Sequence, residues 1–202
     1  MKNKGLIITL SVLGIIVLFV IIMVVWGIGS YNNLVTLNES VEQSWSQVEN
    51  QYQRRADLIP NLVNTVKGYA EFERGVLTDV TEARARVSQF NVTPEVLNDP
   101  QSFQRFQQLQ GELSGALSRL LVTVENYPVL KANENFLQLQ AQLEGTENRI
   151  SVERRNFNQT VQQYNTTIKR FPTSIFAGIF GFNEKQYFTS TPGVETPPKV
   201  EF

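Results

Sequence analysis

QYQRRADLIPNLVNTVKGYA, residues Gln51–Ala70, sets two arginines, an aspartate and a proline between two segments with helical spacing. Arg54 and Arg55 suit the last turn of a helix, where cations favour the dipole. Asp57 has the chemistry of an N-cap. Pro60 suits a first turn, where its missing N–H costs nothing. The stretch therefore predicts a corner, with one helix ending near Arg55 and the next beginning near Asp57.

Apolar residues on both sides recur at steps of three and four. Before the corner they are Leu34, Leu37, Val41, Trp45, Val48 and Tyr52. After it come Ile59, Leu62, Val66, Tyr69, Val76, Leu77, Val80 and Val87. FNVTPEVLNDPQS then breaks the pattern, and Asp99-Pro100 is a cap followed by proline at the first helical position. A third helix carries Phe103, Phe106, Leu109, Leu113, Leu117, Leu120, Val124 and Tyr127, and ends at Tyr127-Pro128. A fourth starts near Lys131 or Asn133. Its Phe136, Leu143, Ile150, Phe157, Tyr164 and Phe171 recur at strict sevens, with Val161 and Ile168 filling the second seam. A sustained seven-residue repeat implies supercoiling against neighbouring helices. Gly111, Ser114, Gly115 and Ser118 place small residues on helix three, where close helix packing accounts for them.

The N-terminus supplies a different signal. From Leu6 to Ile28 there are roughly 23 residues without a charge, enough to cross a bilayer as a helix. The run is longer than a signal peptide's apolar region, and VWGIGS is a poor cleavage site, so an uncleaved anchor is expected. Trp26 and Tyr31 sit where interfacial aromatics belong. Lys2 and Lys4 precede the run, and the next Lys or Arg is Arg54. The positive-inside rule then puts the N-terminus in the cytoplasm and the body outside it.

The expected fold class is all-α: an N-terminal transmembrane helix and an elongated antiparallel up-down four-helix bundle. Four helices of about 27 to 40 residues make a rod roughly 40–60 Å long. The expected divisions are a cytoplasmic stub and anchor (1–29), the bundle (30–171), an apolar segment near the membrane (172–188) and a proline-rich flexible tail (189–202). With four helices the Gln51–Ala70 corner falls at the end far from the membrane, and the fourth helix returns to it. There FPTSIFAGIFGF offers Ile175, Phe176, Ile179, Phe180 and Phe182. Two placements stay open for it: in the membrane interface, or folded onto the bundle's open end.

Composition limits the chemistry. The chain is 18% charged with net charge −1, so it has no basic excess for nucleic acid. It contains no cysteine and no histidine, which removes disulfides, thiolate chemistry, the usual zinc sites and the commonest general base. Glu39 and Glu42, like Glu144 and Glu147, are three apart, as on many solvated helix faces. No catalytic residue, metal, cofactor or small-molecule substrate is expected. Gln51, Arg54, Arg55 and Asp57 form a candidate partner-binding tip, because loops on rigid scaffolds often bind.

Several separated stretches carry a resemblance. YNNLV from Tyr31, WSQVE from Trp45, QYQRRADLIPNLVNTVKGYA, EARA from Glu82, ENYPVLKANENFLQLQ from Glu125, GTENRI from Gly145 and the FPTSIFAGIFGF segment resemble the bacterial LemA family. The likeness extends from the anchor to about Phe188. It implies a single-span protein of the bacterial cytoplasmic membrane with a helical-bundle domain. One branch of that family is associated with magnetosome membranes, which implies a scaffolding role for that branch. Phe72-Glu73 stands where relatives often carry His-Glu, which argues against a metal or acid–base role there. Two functions follow as expectations. The first is a non-enzymatic envelope scaffold acting by self-association and protein contacts. The alternative is an adaptor or sensor presenting its distal tip to a membrane protease or signalling partner.

Overall fold

The computed structural model describes residues 2–69, 73–90 and 93–189, with side chains from Ile8 onward except at 94 and 95. The expected tail beyond Thr189, and Phe72, lie outside the described residues. Among these residues six α-helices follow in order: α1 Lys2–Lys67, α2 Arg74–Gln89, α3 Pro100–Val124, α4 Pro128–Lys131, α5 Glu134–Lys169 and α6 Thr173–Phe180. A 3-10 turn, Pro94–Leu97, precedes α3. Among the described residues there is no strand.

The corner predicted at Arg55–Asp57 is absent. α1 runs unbroken through it for 66 residues, with Pro60 inside. An interior proline leaves the carbonyl four residues back without its helical donor. That carbonyl belongs to Ala56, and Arg84 Nε of α2 donates to it at 2.9 Å. The apolar stripe continues past the proline, since Ile59, Leu62, Val63 and Val66 are all buried. Packing therefore favours continuing the helix, and a guanidinium from another helix supplies the lost bond. Asp57 caps nothing. Its Oδ1 accepts from Gln53 Nε2 one turn earlier, at 2.8 Å. The helix instead ends at Lys67, and α2 begins at Arg74. Alanine at Arg84 should cost about 1–3 kcal/mol by orphaning a buried carbonyl, whereas alanine at exposed Arg105 should leave urea unfolding of the full chain unchanged.

Two other expectations need correction. α5 ends at Lys169, and Phe171 is 82% exposed, so the seven-residue stripe closes at Tyr164 with Ile168 beside it. Pro172 explains why, because a residue before proline is pushed out of helical geometry. A Cβ built at Gly111 or Gly115 would meet nothing within 4 Å, so these glycines do not mark close helix packing. The cap expected at Asp99 is present, and α5 starts with a cap of its own. Asp99 accepts from Ser102 N at 2.8 Å, and Asn133 accepts from Phe136 N at 3.0 Å.

α1 pairs with α5. Trp45 packs on Phe157, Arg55 meets Glu147, and Tyr69 accepts from Asn133, so later residues of α1 meet earlier residues of α5. α2 pairs with α3 in the same sense, through Arg86–Glu112 and Asp79–Arg119. Two apolar cores result. One joins Leu34–Tyr52 of α1 to Phe103, Phe106 and the Ile150–Ile168 stripe. The other joins Ile59–Val66 to α2, to Leu113–Val124 and to Phe136 and Leu143. The residues from Ile8 to Trp26 share in neither core, and the large apolar side chains among them stand exposed. This stretch is long and apolar enough to cross a membrane.

Candidate functional site

A polar layer separates the two cores. On α1 it lies between Tyr52 and Ile59, on α3 between Phe106 and Leu113, and on α5 between Ile150 and Leu143. Arg55 stands at its centre and is 1% exposed. Its Nη1 donates to Ser114 Oγ at 2.7 Å and to Glu147 Oε1 at 2.6 Å. Its Nη2 donates to the Gln110 side-chain oxygen, with the Gln110 carbonyl at 3.4 Å. The guanidinium also lies over the Tyr52 ring, 5.1 Å from its centroid. One side chain thus ties three helices together through a planar fork that lysine cannot reproduce. A cleft of about 580 Å³ opens beside it, lined by Tyr52, Gln104, Gln107, Ser114, Glu147 and Arg154. Burial raises the Tyr52 phenol above its ordinary range, while Arg154 and Arg55 oppose the rise.

The four candidate tip residues do not converge. Arg54 and Asp57 are exposed, Gln51 is half-buried, and Arg55 faces inward. Arg55 lies about 18 Å along α1 from its end at Lys67. Neither terminal nitrogen of Arg55 is spare, so it serves as a cross-link between helices.

Sequence reasoning missed a second feature. Gly181, at φ 76°, closes α6 in the left-handed region that glycine enters freely. Residues 182–189 then return along the helical body as an extended strap. Asn165 grips the backbone of Lys185 twice: Nδ2 donates to its carbonyl at 2.9 Å, and its N–H donates to Oδ1 at 2.9 Å. Asn158 grips Phe188 in the same way, at 2.8 and 2.9 Å. Seven helical residues span about 10.5 Å, and three extended residues span about 10 Å, so the two amides fit an extended chain. Thr189 N donates to Gln107 Oε1 at 3.1 Å. Phe188 inserts among Trp45, Phe103, Phe106 and Phe157, with Arg154 over its outer face at 4.5 Å.

The strap has a pH signature. Tyr164 donates its hydroxyl to the Asn183 carbonyl at 3.0 Å, and burial pushes its phenol from 10.0 up to about 12. A raised pKa gives stability that is full below the unfolded value and is lost as pH climbs through the folded one. Proteolysis of the strap should therefore increase between pH 10 and about 12. Tyrosinate absorbance lost in Tyr164→Phe should titrate in the same window, and titration at the ordinary value would count against a buried donor. Lys185, above the Tyr164 ring, is shifted oppositely: burial lowers it, and Glu42 resists.

At the other end, α6 lies against the end of the apolar run. Phe176 meets Trp26 with ring centroids 5.9 Å apart, and Phe180 meets Tyr31 at 5.0 Å. Phe182 also reaches Tyr31, whereas Ile175 and Ile179 are exposed. The stretch 172–188 thus divides in two. α6 stays beside Trp26–Tyr31, and the strap carries Phe188 to the level of Trp45. Among the described residues no group of three or more Asp or Glu side chains could hold a metal.

These features define an all-helical protein in which one apolar N-terminal helix, long enough to cross a membrane, continues without interruption into the body. Residues 44–202 match the LemA family, and the chain belongs to it. It is similar to magnetosome protein MamQ 2 of Paramagnetospirillum magneticum strain AMB-1, 24% identical over 183 residues, which are 83% of this chain and 67% of that protein. Magnetosome protein MamQ of Magnetospirillum gryphiswaldense strain MSR-1 is 25% identical with the same coverage. Protein LemA of Metamycoplasma hominis is 25% identical over 152 residues, covering 74% of this chain and 64% of that protein.

Proposed function

We propose that this chain is a non-enzymatic scaffold of the bacterial cytoplasmic membrane, with its N-terminus inside and an antiparallel four-helix bundle outside the cytoplasm. It would organise the envelope through self-association and protein contacts. The observation that carries this reading is the continuity of α1, which joins the apolar run to both cores with no linker between them. Pairing of late α1 with early α5, and of late α2 with early α3, supports the antiparallel arrangement. Kinship with proteins named for the magnetosome supports a structural role at a membrane. α6, with its exposed Ile175 and Ile179, suits the membrane interface.

Sidedness is the direct test. The chain has no cysteine, so Ser118→Cys on an exposed turn of α3 introduces a single thiol. A membrane-impermeant maleimide should label it in intact cells once any outer membrane is opened. Labelling only after lysis would reverse the orientation. Light scattering in detergent should show an ordered oligomer.

A second reading, an adaptor that offers its far end to a protein partner, is favoured by Val122 and Val129. These are 69% and 74% exposed where α3 and α4 meet. It predicts a monomer whose partner is lost in Val129→Ser.

A further inference from the structure

α6 has an unusual distribution of apolar surface. TSIFAGIF contains no charged residue. Phe176 and Phe180 face α1, yet Ile175 and Ile179, on the rest of the helix, are 47% and 69% exposed. A helix lying on a protein in water buries one stripe and turns polar side chains outward. This one is apolar on both sides, as suits a helix with protein on one side and hydrocarbon on the other.

Between α6 and α1 lies a notch of about 630 Å³. Phe19, Val20, Met23 and Val24 form one wall, two turns of α1 below Gly27. The other wall is the stacked pair Phe176 and Phe180, with ring centroids 6.4 Å apart. The notch is continuous with the exposed surface of the apolar run. Close pairing with a second helix calls for small residues that let backbones approach. The small residue here, Gly27, is already covered: a Cβ on it would come within 2.9 Å of Phe176 Cε1. Bulky side chains around an uneven gap suit a flexible hydrocarbon chain better than a rigid helix. Arg170, exposed at the end of α5 and three residues before α6, offers a cation for an anionic headgroup.

We propose that the notch between α6 and the Phe19–Tyr31 face of α1 is a binding site for one acyl chain of a membrane phospholipid. The inference rests on the reading of the apolar run as a membrane span. The lipid completes the contact of α6 with α1 and keeps the start of the strap at the membrane surface.

The test uses the full chain, extracted from membranes in mild detergent and purified. Lipid phosphorus and native mass spectrometry then count retained phospholipid. The wild type should hold about one per chain. Val24→Trp, which fills the notch, should reduce this to background, and Ile179→Ala, on the outer face, should leave it unchanged. Equal retention in Val24→Trp and wild type, or detergent alone in the wild-type notch, would overturn the site. Recovery of the chain in the soluble fraction without detergent would instead overturn the span. The two failures are therefore distinguishable.

Discussion

Replacing Arg55 by alanine will lower the stability of the helical body by about 3–5 kcal/mol, read as a shift of the urea midpoint in detergent. The substitution removes bonds to three residues on two other helices, one of them the buried Gln110. Gln110, itself buried, is left without its donor, and an unsatisfied buried polar group carries its full desolvation penalty. Glu147 will contribute less to the loss, because its side chain is 42% exposed and can be rehydrated. Lysine at position 55 should recover only part of the stability, since a point charge cannot serve Ser114, Glu147 and Gln110 together. Arg54→Ala is the internal control. That side chain is exposed, and its loss should stay within about 0.5 kcal/mol. Equal shifts for the two arginines would contradict the polar layer.

Phe188→Ala should produce a loss of similar size, about 3–5 kcal/mol, by emptying a site walled by four aromatic rings. A second effect distinguishes it from an ordinary core truncation. The strap is held at Phe188 by packing and at Lys185 and Phe188 by hydrogen bonds between its backbone and the side-chain amides of Asn165 and Asn158. Losing the ring should expose residues 182–189 to protease while α5 stays helical. Leucine should restore part of the stability but neither the stacking on Trp45 nor the contact with Arg154. A Phe188→Ala protein as resistant to cleavage as wild type would show that the backbone bonds alone hold the strap.

The apolar stripes of α1, α3 and α5 were legible because packing and period agree along each helix, and the cap at Asp99 acts within one turn. The corner was misread because Asp57 and Pro60 satisfy a local rule, while the bond that overrides it comes from Arg84, 28 residues away. Arg55 looked like a surface cation, yet it follows Tyr52 by three and precedes Ile59 by four, on the stripe itself. That spacing was the available signal. In the strap, Phe182, Lys185 and Phe188 point inward at steps of three, which resembles neither helix nor strand, and the central inward residue is a lysine. Partners such as Asn158 and Asn165 bind backbone, which has no sequence signature. The resemblance to the LemA family identified the kinship but carried none of these contacts.

The unbroken α1 has a mechanical consequence. With the apolar run spanning a bilayer, as proposed, the helix from Ile28 to Lys67 is a lever arm of about 58 Å that pivots there. Helices in membranes tilt by about 20°, and a tilt of that size would swing the far end about 20 Å sideways. The arm is braced at both ends of its lower half, by α6 at Trp26–Tyr31 and by Phe188 at Trp45. Rotation of the buried segment about its own axis would therefore turn every outward-facing residue by the same angle. In such a molecule, membrane thickness and neighbouring helices would aim the far end directly, as a rudder post aims its blade.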